Sequence, residues 1–75
     1  MTKNEQTELT RAGYYVTMGR PDMAARTLSI IHRSARSRAT QAAVLARVAE
    51  LGLGDHVTMF NGCLAHVDDA PAVRS

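Results

Sequence analysis

Apolar residues recur at helical spacing over most of the first fifty positions. The cleanest stretch is Ala24, Leu28, Ile31 and Ala35, at i, i+4, i+7 and i+11. Asp22, Arg26, Ser29, Arg33 and Arg36 keep the same rhythm on the opposite side, which predicts one amphipathic helix. Pro21 suits its first position, and Asp22 suits the positive end of its dipole. Upstream, Leu9, Ala12 and Val16 recur at helical spacing with Tyr15 beside them, and Glu8 and Arg11 are placed to pair at i,i+3. Thr2 and Glu5 have capping-box spacing, so this helix begins near Thr2 or Asn4. Gly19 suits a left-handed stop. Gly13 weakens the helix by about 1 kcal/mol relative to Ala, which points to a neighbour packed closely there. Ser37 is placed to cap a third helix. Its broad apolar face is Val44, Leu45, Val48, Ala49 and Leu51, with Gln41, Arg47 and Glu50 outward and Gly52 as the stop.

The period then changes. Two short apolar runs, His56 to Phe60 and Cys63 to Val67, flank Asn61-Gly62. Asn-Gly tolerates the positive φ angles of a two-residue type I′ turn and is the strongest short-range hairpin signal. That turn pairs Phe60 with Cys63, Met59 with Leu64, Thr58 with Ala65, Val57 with His66 and His56 with Val67. The expected fold is α+β: three helices packed against a C-terminal two-stranded antiparallel β-hairpin. It forms a single small domain over 1–75, with helices at about 4–18, 21–35 and 38–51, a hairpin at about 56–67 and a flexible tail at 68–75.

Ala12, Tyr15, Gly19, Ala24 and Leu28 resemble the small, aromatic, turn, small and large positions of a tetratricopeptide repeat, over about one unit of roughly 34 residues. The resemblance implies a helical hairpin. Arg11 stands where that repeat prefers a large apolar residue, and no proline closes the unit.

Composition narrows the class. A chain of 75 residues buries only a thin core, roughly 60% of its unfolded surface. Its single cysteine, Cys63, excludes an internal disulfide and fits a reducing, cytoplasmic setting. Residues 1–6 are polar, and no apolar run is long enough to span a bilayer. The net charge is +2, from 9 cations and 7 acids, but eight cations are arginine and most lie between Arg20 and Arg47.

Catalytic and metal chemistry find little support in the pattern. The hairpin register sends His66 to the face opposite Cys63. His56 and Cys63 share a face but sit about 13 Å apart along it. A zinc site needs four ligands around one ion. Cys63 therefore reads as a small packed hydrophobe and the histidines as edge residues. Gly52-Leu53-Gly54 lacks the lysine and following helix of a phosphate loop. No enzyme activity, cofactor or metal is expected.

Two binding surfaces are expected instead. One hairpin face carries Val57, Met59 and Leu64 with His66, and the other carries Phe60, Cys63, Ala65 and Val67. A hairpin packed on helices should alternate apolar with polar, so the second apolar face is either partly covered by the tail or completed by a partner. Val57, Met59 and Leu64 are assigned to the core. Phe60, Cys63 and Val67 are assigned to a protein partner or a homodimer, which makes the chain a small interaction module of adaptor, inhibitor or regulator type. The alternative is a nucleic-acid-binding regulator. Arg26, Arg33, Arg36 and Arg38, with Gln41, supply a basic stripe that ends at a helix N-terminus, as phosphate binding requires. Three helices followed by a hairpin resemble a winged helix-turn-helix in outline, although the hairpin carries no lysine or arginine. The plainer reading of the same arginines is a solvated face, with Asp22 and Arg26 as a surface pair.

Overall fold

The computed structural model describes residues 2–60 and 62–67. Three helices, α1 (Lys3–Thr17), α2 (Pro21–Ser34) and α3 (Arg38–Glu50), precede a short 3-10 turn, η1 (Gly54–His56). An antiparallel pair follows, β1 (Val57–Phe60) and β2 (Cys63–His66). The architecture is α+β, with the helices packed against a two-stranded sheet. The molecule is a slab of 38 × 29 × 16 Å. The tail at 68–75, Asn61 and Met1 lie outside the described residues.

Local chemistry sets the boundaries. Thr2 closes a capping box on α1: its N–H donates to Glu5 Oε1 at 2.8 Å, and the Glu5 N–H donates to Thr2 Oγ1 at 3.2 Å. Ser37 caps α3 by accepting from the Thr40 N–H at 3.2 Å. α1 and α3 stop in the same way. Gly19 and Gly52 take φ of 77° and 67°. The following amides, Arg20 and Leu53, reach back to Tyr15 O at 2.8 Å and Val48 O at 3.0 Å. In α3 this motif tucks Leu53 into the interior, 1% exposed, so a residue of the connection becomes part of the core.

α2 is the centre of the slab and packs most extensively on α1 and β2. Ala24, Leu28 and Ile31 enter a core completed by Ala12, Val44, Val48, Leu53 and Leu64. The buried arc of α2 is wider than its apolar stripe, because Ala25, Ser29 and His32 are buried as well. These three lie at i, i+4 and i+7, and two of them are small, which lets a strand approach closely. Ser29, expected on the polar side, satisfies its hydroxyl internally by donating to Arg26 O at 2.8 Å.

The hairpin register is Val57↔His66, Thr58↔Ala65, Met59↔Leu64 and Phe60↔Cys63, as the Asn-Gly pair predicts. Gly62 has φ 79°. The core face needs correction. Leu64 is buried and Val57 packs against the core, but Met59 is 52% exposed because it sits near the open tip. His66 is buried rather than an edge residue, and His56 is half-buried.

α3 also departs from expectation. Its inward residues are Thr40, Val44 and Val48. Leu45 and Ala49, assigned to the apolar face, are exposed, together with Ala39, Ala42 and Ala46. Gln41 and Arg47, assigned outward, are half-buried.

Candidate functional site

The corner between α2 and α3 is built by hydrogen bonds that join two helix N-termini. Ser37 Oγ donates to Thr40 Oγ1 at 3.1 Å, and Thr40 Oγ1 in turn donates to Glu5 Oε1 at 3.5 Å. Glu5 belongs to the capping box of α1, so the caps of α1 and α3 are one network. The Thr2 backbone N–H beside Glu5 holds its carboxyl below the ordinary value. Thr2, Asn4, Glu5, Ser34, Arg36, Ser37 and Thr40 line a shallow groove over this network.

Around that fixed corner, Arg33 lies in the last turn of α2, Arg36 lies in the connection and Arg38 opens α3, all three exposed. None of them makes an ion pair with a described residue. Three of the described acids are committed elsewhere. Glu8 holds Arg11 at 3.0 Å, Asp22 holds Arg20 at 3.6 Å, and Glu50 holds Arg47 at 3.6 Å. Asp22 thus pairs with Arg20, where i,i+4 spacing pointed to Arg26. Arg26 is exposed on the outward face of α2 with Ile30 and Arg33. Gln41 is half-buried and is not presented with the arginines. Further along, the outward face of α3 is Ala39, Ala42, Leu45, Ala46 and Ala49, which offers no hydrogen-bonding side chain to a base edge.

The hairpin set is less open. Phe60, Cys63 and Val67 are each half-buried, and Ala65, on the face of Phe60 and Cys63, is buried. Among the described residues the principal neighbours of β1 are β2 and η1, and Met59 is its one exposed residue. No group of three or more His, Cys, Asp or Glu among the described residues is placed to hold a metal ion. Cys63 is a free thiol.

Two residues missed by pattern alone tie the layers together. His32, 3% exposed, accepts the Leu64 N–H at Nδ1, 3.2 Å away. Arg47 crosses from α3 to α1, where its Nε donates to Leu9 O at 3.2 Å. Its guanidinium lies over Gly13: a Cβ there would stand 2.6 Å from Arg47 Nη2. The close neighbour that Gly13 implied is this side chain. Neither role has a local signal, because each partner lies more than thirty residues away in sequence.

No family model matches the chain, and no curated protein or solved structure matches it. Among the described residues, no helix is long and apolar enough to cross a membrane.

Proposed function

We propose that this chain is a small, non-enzymatic, cytoplasmic binding protein whose α2–α3 corner takes the phosphate backbone of a nucleic acid. The observation that carries the reading is the division of charge. Glu8, Asp22 and Glu50 neutralise Arg11, Arg20 and Arg47, while Arg33, Arg36 and Arg38 remain exposed without an ion pair to a described residue. The N-terminus of α3 adds backbone donors beside them. The alanine-rich outward face of α3 implies backbone contact without base readout, unlike the recognition helix of a winged helix-turn-helix.

Fluorescence anisotropy with duplex DNA and RNA at low salt tests this. Binding should be similar for unrelated sequences. Its dependence on salt should be steep, with a log–log slope of about −2.7 if each arginine meets one phosphate. Changing Arg33, Arg36 and Arg38 together to Ala should abolish binding and leave the thermal melt nearly unchanged, since exposed substitutions cost only about 0.5 kcal/mol or less each. No binding at low salt sinks the reading.

A second reading is a protein-interaction module that uses the hairpin. What favours it is that β1 pairs with β2 alone among the described strands, and the Val57 to Phe60 strand carries no charge or proline to block further pairing. Phe60→Ala should then weaken self-association or partner binding in sedimentation while leaving the monomer folded.

A further inference from the structure

We propose that His32 is a proton-operated clasp that holds the hairpin on the helices at neutral pH and lets it go in acid. The inference is independent of either binding surface. Its basis is the direction of one hydrogen bond. In a hairpin with a two-residue turn, Phe60 and Cys63 form the hydrogen-bonded pair, so the Leu64 N–H points away from β1. That amide faces α2, where water is excluded, and Leu64 is 2% exposed. Its acceptor is the imidazole Nδ1 of His32.

An imidazole accepts a hydrogen bond only at an unprotonated nitrogen. His32 must therefore be neutral in the docked state, with its proton on Nε2. Protonation places an N–H on Nδ1 directly against the Leu64 N–H and puts a positive charge in the interior. Both effects disfavour docking, since a buried unpaired donor and a buried charge are each costly. The undocked hairpin leaves His32 Nδ1 without the Leu64 N–H set against it. Undocking is thus linked to the uptake of one proton, and the docked state loses ground as pH falls through the imidazole range.

Other ionisable groups surround α2. Those not exposed, on the elements packed against it, are His66 and Cys63 on β2, His56 on η1, Glu5, Glu8 and Tyr15 on α1, and Arg47 on α3. Glu5 sits in the capping box, Glu8 holds Arg11, and Arg47 is engaged at Leu9 O. Of the set, His66 alone is as buried as His32, at 3% exposed. Among the described residues it is the buried imidazole to control for on the same strand.

Amide hydrogen exchange at Leu64, corrected for intrinsic rate, reads the clasp directly. Between about pH 7.5 and about pH 5 its protection should fall, approaching about tenfold per pH unit below the imidazole range, the limit for one linked proton. Amides in the middle of α2 should hold their protection over the same span. His32→Asn places an amide oxygen where Nδ1 stands and cannot titrate, so it should keep Leu64 protected and remove the pH dependence. His66→Gln should leave that dependence in place. Flat protection in the wild type overturns the proposal. So does pH dependence that survives His32→Asn, or that disappears with His66→Gln. If His32→Asn does not fold, nitrogen-15 shifts of the wild-type imidazoles decide. The proposal requires the Nε2–H tautomer of His32 at neutral pH, and an Nδ1–H tautomer overturns it.

Discussion

His32 and Arg47 each reach from a helix to a backbone group of a neighbouring element, yet the two ties differ in kind. His32 serves an amide on the edge of β2 that is buried and has left its own sheet. Arg47 serves a carbonyl inside α1, a group that a helix already satisfies at i+4, from a half-exposed position. Removing the first strands a donor. Removing the second forfeits only the bond itself. The net worth of a typical hydrogen bond is about 0.5–1.5 kcal/mol, whereas a buried orphan costs about 1–3 kcal/mol. The comparison teaches that the state of the group left behind, more than the bond length, decides how much such a tie matters.

The largest effect should come from the side chain beside the His32 tie. Leu64→Ala keeps the amide bond to His32 but empties core volume, and buried leucines cost about 2–5 kcal/mol on truncation. In a slab this thin that can unfold the chain, which a thermal melt reads at once. A loss below 1 kcal/mol would mean that the hairpin contributes little to the core. His32→Leu should come next, at about 1–3 kcal/mol by denaturant titration, because it orphans the Leu64 amide. If it costs no more than Arg47→Ala, the distinction between the two ties fails.

The smallest effect sharpens the Arg47 side. Gly13→Ala gains about 1 kcal/mol of helix propensity but pushes the guanidinium off its seat, so the net change should be close to zero. In an Arg47→Ala background the same substitution should stabilise by close to the full 1 kcal/mol. A double-mutant cycle that shows simple additivity would remove Arg47 from Gly13.

How much of this was legible in the sequence depends on whether the deciding partner was near. The period of α2, the capping residues Thr2 and Ser37, and the register around Asn-Gly are local signals, and each predicted its element. α3 was legible as a helix but not in orientation. Val44 and Val48 face inward while Leu45 and Ala49 face out, and a helix apolar on both sides has no period to tell them apart. Leu53 hid between two glycines, and its burial follows from the stop motif of α3 rather than from any pattern. Ser29 looked polar until its hydroxyl found a carbonyl of its own helix. The candidate arginines could be named from the sequence. That Arg33, Arg36 and Arg38 make no ion pair with a described residue could not, since it depends on which cations Glu8, Asp22 and Glu50 hold in the folded chain.

The His32 tie also bears on the order in which the chain assembles. α1 and α2 are joined by a tight turn, and so are β1 and β2, so each pair closes over a short span. Docking the hairpin joins residues 32 positions apart and must wait for a longer loop to close. The interface between α2 and β2 therefore belongs on the native side of the folding barrier. Weakening it should speed unfolding more than it slows folding, and the life of the folded state should be set by how long the hairpin stays down.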